Sequence, residues 1–201
     1  MRQDDYLNAI RLATADLALK DPLEVAKAAQ AEIFDDYLEL SFMLQKVRIH
    51  LPDWKITWSP PREPEPISLT DQVLILHYFQ GAKHLEPSGN LVAYREIPGG
   101  EFYMDAFRRR AEIPLAQAFG SKPGLLTKAS EVLGGTIQKG MGDEAALFRV
   151  FPSIDILIML YTGDDEFAPV GQVLFDKITG LTLNIEDISW LGSGLVYRLM
   201  G

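Results

Sequence analysis

"ALFRVFPSIDILIMLYTGDDEFAPVGQVLFD", residues 146–176, decides the fold. Three apolar runs, "ALFRVF", "IDILIMLY" and "GQVLFD", follow one another across short connections. A parallel pair needs a long crossover, so the runs predict an antiparallel meander. Upstream, "YLELSFM" and "KVRIHL" alternate apolar and polar around "LQ", which predicts a hairpin with "KITW" as a third strand. Asp21-Pro22 opens a helix through "LEVAKAAQAEI", with Asp at the N-cap and Pro at the first helical position. Ser68 and Asp71 start another. Its body, "QVLILHYFQ", is apolar on nearly every side and should be covered all round. Asn184 caps the last helix, with Glu186 and Asp187 in the first turn and Ile188, Leu191, Leu195 and Leu199 as the buried stripe.

Strands and helices cluster rather than alternate. The fold class is therefore α+β: a mainly antiparallel sheet (N-terminal hairpin plus C-terminal meander) packed with several helices. The 201 residues suit a single globular domain, 1–201. "SPPREPEP", residues 59–66, is its proline-rich surface loop, because proline cannot donate to a helix or a ladder.

Composition removes several functions. A hydrophobic content of 47% is too apolar for disorder. A net charge of -9 argues against broad contact with nucleic acid or an anionic membrane. No cysteine is present, so this chain supplies no thiolate nucleophile and no ligand to an iron–sulfur cluster. The longest apolar run, "IDILIMLY", is too short to span a bilayer. The N-terminus lacks the apolar core of a signal peptide. The expectation is a soluble, acidic, cytoplasmic protein.

"YREIPGGEFYMDAFRRR", residues 94–110, carries the chemistry of most interest. A strand, "LVAYREI", runs into Pro98-Gly99-Gly100 and then into a helix. Glycine amides ahead of a helix can point at an anion, and Arg95 would add a planar fork of donors. The same glycines also suit a plain strand-to-helix turn. Glu101 would compete with an anion, and the Lys-Ser/Thr pair of a phosphate loop is missing. In an alternating strand Arg95 shares a face with Leu91, Ala93 and Ile97, while Glu96 points the other way. One of that pair should meet the core and need a partner or a ligand. Tyr94 and Tyr103 would flank such a ligand; Tyr103 and Phe107, four apart, fall on one helix face, where core packing is the alternative. Arg108, Arg109 and Arg110 fan out by about 100° each. Arg109 is placed to pair with Asp105. Pro114 should kink or split the helix.

Asp164, Asp165 and Glu166 put three carboxylates on one turn, as a Mg²⁺ or Ca²⁺ site or an acid–base pair would require. Asp and Gly also favour turns for local reasons. No two histidines have metal-ligand spacing, and His77 reads as a core histidine. Ser193 in "GSG" lies inside the last helix, away from any nucleophile elbow.

"LILHYF", "LVAYREIPGGEFYMDAFRRRAEIPLAQAFG", "LYTGDDEFAPVGQVLFD" and "LNIEDISWLGSGLVYRLM", in that order, resemble an uncharacterised family of anaerobic bacteria and archaea known only as a domain of unknown function. The likeness runs from about Glu32 to the end of the chain. Some members of that family look fused to, or neighbouring, a four-cysteine iron–sulfur segment similar to that of corrinoid iron–sulfur proteins. The resemblance therefore implies an accessory role in anaerobic one-carbon, corrinoid or redox metabolism. This chain departs from the pattern in having no cysteine, and in Tyr161 and Ala168, where the family tends to show Trp and Pro. The family marks fall on Arg95, Glu96, Gly99, Gly100, Tyr103, Asp164, Asp165, Glu166 and Asp176.

Three readings stay open. One is a ligand-binding or accessory module for a small anionic ligand or a metabolic partner protein. The second is a metal-dependent or carboxylate-based hydrolase or transferase using Asp164, Asp165, Glu166 and Asp176. The third is a protein-assembly module. The cofactor, if any, is open in all three.

Overall fold

The computed structural model describes residues 3–61 and 66–201. Residues 62–65 of the proline-rich loop lie outside the described set. The chain is organised in two compact units. Its class is α+β, with both sheets antiparallel.

The first unit takes the described residues up to Glu86, with Phe151–Ser153 and Leu181–Leu183. Helices α1 (Gln3–Leu17) and α2 (Pro22–Ala29) precede a four-stranded sheet. Its strands, β1 (Glu32–Ile33), β2 (Tyr37–Phe42), β3 (Gln45–His50) and β4 (Lys55–Trp58), pair in chain order. The hairpin turn is Met43-Leu44 rather than Leu44-Gln45: both residues are left-handed, at φ 48 and 64, as a two-residue primed turn requires. Leu38, Leu40 and Phe42 of β2 and Val47 and Ile49 of β3 alternate inward and are buried. Helix α3 (Leu69–Gly81) is covered as its pattern predicts, with Val73 to Leu76, Tyr78 and Phe79 buried. Ser68 caps it by accepting from the Asp71 amide at 3.1 Å. Tyr78 stacks on Phe151 at 4.1 Å and donates its hydroxyl to the Ala29 carbonyl.

The second unit holds a five-stranded sheet in the order β5-β9-β8-β7-β6. Strands β7 (Glu144–Phe151), β8 (Ile154–Tyr161) and β9 (Val170–Asp176) are the meander. β6 (Thr136–Ile137) extends one side, and β5 (Leu91–Ala93) joins β9 on the other. Every residue of β8 from Ile154 to Leu160 is buried, so this strand is covered on both faces. Even Asp155 is inside; Arg149 satisfies it with two guanidinium bonds of 2.7 and 3.0 Å. Helices α4 (Gly100–Phe107), α5 (Ile113–Phe119), α6 (Leu125–Leu133), the single turn α7 (Thr179–Thr182) and α8 (Ile185–Met200) complete the chain. The α8 stripe Ile188, Leu191, Leu195 and Leu199 is buried, and Asn184 caps the helix by accepting from the Asp187 amide at 2.9 Å. Gly192 lets α8 approach the Phe175 ring: an added Cβ would lie 2.7 Å from it. Ser193 donates to the Ser189 carbonyl inside the same helix. Among the described residues, no helix is long and apolar enough to cross a membrane.

Candidate ligand-binding cleft

The Pro-Gly-Gly stretch is a turn with its own hydrogen bonds. Strand β5 stops at Ala93, and Tyr94–Glu96 winds into a single 3-10 turn instead of continuing the ladder. The cause is local. The Glu96 carboxylate takes the Ala93 amide at 2.8 Å, and Pro98 has no amide to offer a neighbour. The Ile97 amide then donates to the Tyr94 carbonyl, and the Gly100 amide to the Ile97 carbonyl at 2.8 Å. Gly99 sits at φ 86, a left-handed position ahead of α4. Gly100 lies so close to the Tyr94 carbonyl that any Cβ would overlap it. The glycines serve geometry, and the Gly100 amide is already spent.

This corrects the expected surroundings of the residues nearby. Arg95 is exposed rather than held over an apolar strand face. Glu96, also exposed, caps the turn. Tyr94 is buried: it stacks on Phe107 at 4.3 Å and donates its hydroxyl to the Ile185 carbonyl at 3.0 Å. Burial pushes its phenol pKa up. It is a core residue rather than a flank for a ligand. Tyr103 and Phe107 do not share an environment, since Phe107 is in the core and Tyr103 is 56% exposed.

The helix after Phe107 neither breaks nor kinks at Pro114 in the expected way. It widens. The Ile113 amide donates to the Arg108 carbonyl, five residues back, so Arg108–Glu112 is a π turn between α4 and α5. Proline inside a helix clashes with the carbonyl four residues earlier and leaves that carbonyl without a donor. A wider turn before Pro114 relieves both problems for Arg110. It also sets the register. Four residues of α-helix overshoot a full turn by about 40°, and an i→i+5 turn takes that drift back. Met104, Arg108, Glu112 and Ala116, each four apart, consequently all line one cleft. Gly171 lets the wide turn rest on β9, because a Cβ there would lie 2.8 Å from the Glu112 carbonyl oxygen.

That cleft, of about 450 Å³, lies between this helical segment, Ala93 at the end of β5 with Arg95 just after it, and Pro169 with Val170 to Gln172 and Leu174 of β9. Its charged members are Arg95, Asp105, Arg108 and Glu112. Arg108 Nε stands 3.8 Å from Glu112 Oε2. Glu112 is largely covered, with its side chain 13% exposed. Burial raises its pKa, against the opposing pull of the Val173 amide, Arg108 and Arg95. Arg95 acts on Glu112 through space and forms no ion pair among the described residues. Arg109 is exposed outside the cleft and makes no ion pair with Asp105. Arg110 instead lies 4.1 Å over the Trp190 ring. Of the candidate binding residues read from the sequence, Arg95 alone lines this cleft. The sequence marks Arg108 only as one of three arginines fanning round a helix and Asp105 only as a partner for Arg109; Glu112 and Gln172 carry no mark, and the four-residue spacing ahead of Pro114 is the signal for Arg108 and Glu112.

The acidic turn lies at a second, shallower depression with Gly120 and Ser121. Asp164 accepts from the amides of Glu166 and Phe167 at 2.9 and 2.7 Å, which holds its carboxyl below the usual range. Asp165 and Glu166 are exposed. Asp176 is elsewhere and fully buried, accepting from Ser88 Oγ at 2.7 Å, the Gly89 amide at 2.8 Å and the Ile178 amide at 3.0 Å. Its lone pairs tie down the loop before β5. Among the described residues no group of three or more His, Cys, Asp or Glu side chains converges as metal ligands would.

The model of a protein family described only as a domain of unknown function (DUF3786) matches residues 21–198. No curated protein and no solved structure matches the chain.

Proposed function

The chain belongs to the DUF3786 family, and we propose that it is a ligand-binding protein whose cleft takes a small anionic group on Arg95 and Arg108. One observation carries the reading. Arg95 lines a cleft of ligand size and has no ion-pair partner among the described residues. Ligand pockets span about 300–1,000 Å³, and this one falls in that range. Two further features support it. The cleft is walled by a π turn, a distortion frequent at functional sites. It also holds a covered carboxylate, Glu112, with a perturbed pKa beside two arginines. The setting is part of the same proposal: an accessory role in one-carbon, corrinoid or redox metabolism of an anaerobe, as the family resemblance implies. Residues 1–201 contain no cysteine, so they supply no thiolate to any iron–sulfur cluster in that setting.

A thermal-shift screen with small carboxylates and phosphates tests the reading. A ligand at about 100 times its Kd raises stability by roughly 2.7 kcal/mol. The expected hit is absent in Arg95→Ala, whose own melting temperature matches the wild type because Arg95 is exposed. Hits that persist in Arg95→Ala put the binding elsewhere.

A further inference from the structure

We infer that the ligand of this cleft is a zwitterion of amino-acid type with an apolar side chain, an inference that rests on the ligand-binding reading above. Arg95 and Asp105 line the same cleft with opposite charges, and among the described residues neither side chain has an ion-pair or hydrogen-bond partner. The other two charges, Arg108 and Glu112, already face each other. A plain anion satisfies Arg95 and brings a second negative charge toward Asp105, which costs affinity. A ligand carrying both a carboxylate and an ammonium group answers both residues, and each charge-assisted bond strengthens the other's hold on orientation. The Gln172 side-chain amide, also without a partner among the described residues, can donate to the same carboxylate. Met104, Ile113 and Leu174 supply the apolar lining that a hydrocarbon side chain would cover.

The test is calorimetric titration of the full chain with L-alanine, L-leucine, L-methionine and L-phenylalanine. 4-Methylpentanoate serves as the carboxylate without an amine, and 3-methylbutylamine as the amine without a carboxylate. At least one amino acid should bind at least about tenfold more tightly than either single-charge analogue, the scale of one charge-assisted bond. Asp105→Asn should lose about the same factor for the amino acid and nothing for 4-methylpentanoate. Arg95→Ala should lose both, and Arg95→Lys should recover part. If 4-methylpentanoate binds as tightly as every amino acid and Asp105→Asn is silent, the zwitterion inference is overturned while the anion reading stands. If neither amino acids nor carboxylates bind, both fall.

Discussion

Arg108 Nε and Glu112 Oε2 stand 3.8 Å apart across a single wide helical turn. The guanidinium is half-exposed and the carboxylate is mostly covered. Burial outweighs the pairing, so the Glu112 pKa is raised. A raised carboxylate pKa means that the folded state holds its proton more tightly than the unfolded chain does. Its stabilising effect is therefore present at low pH and lost as pH rises from the ordinary value of about 4.3 through the raised folded value. Glu112→Gln keeps an acceptor for the Val173 amide and cannot ionise. Denaturant melts at a series of pH values should show the variant gaining on the wild type over that window. An unchanging difference contradicts the burial argument.

The two glycines of the turn should fail differently. Gly100→Ala forces a methyl into the Tyr94 carbonyl, a clash between backbone and side chain that only a shift of the turn can relieve. The expected cost is about 3 kcal/mol in urea unfolding. Gly99→Ala meets only the Ile185 side chain at an ordinary 3.7 Å. It pays for its left-handed φ alone, about 1–2 kcal/mol.

Asp176→Ala strips the acceptor from three donors at once. Buried donors left unsatisfied should lower stability by about 3 kcal/mol. Hydrogen exchange at Gly89 and Ile178 should quicken, while binding to the Arg95 cleft survives. Loss of binding without loss of stability would return Asp176 to the functional set.

Asp164 holds its turn through the amides of Glu166 and Phe167. Because its pKa is lowered, this contribution is present above the ordinary carboxylate range and fades as pH falls through the depressed value. Asp164→Ala should speed proteolytic nicking near Phe167, with the melting temperature unchanged. Equal nicking rates for variant and wild type at neutral pH would contradict this role.

The sequence carried the meander because apolar runs with short connections leave antiparallel pairing as the simple solution. It carried α8 because the Asn184 cap and a clean stripe agree with each other. It did not carry the end of β5. There a single side chain, Glu96, takes the Ala93 amide and outcompetes an alternating pattern that still reads as strand. Nor did it carry the cleft. Arg108 and Glu112 share a face by ordinary helical spacing, but Met104 and Ala116 stay in line with them because the helix widens ahead of Pro114 and rests on Gly171, a contact 59 positions from the Glu112 carbonyl that no local pattern encodes. Asp164 and Asp176 looked alike as carboxylates. The fold gives one to a surface turn and the other to a buried staple.

The central claim is that Arg95 and Arg108 receive a small anion, and the arginine Nε–Hε resonances of the folded protein report on that directly. Titrating 4-methylpentanoate and, separately, inorganic phosphate into ¹⁵N-labelled protein should shift the Arg95 and Arg108 signals along saturable curves for at least one of them. Arg109, outside the cleft, should stay still, and Arg95→Ala should abolish the Arg108 response. Linear, unsaturable shifts shared by all the arginines would mean that the cleft holds no anion, and the account of this chain as a ligand-binding protein would be wrong.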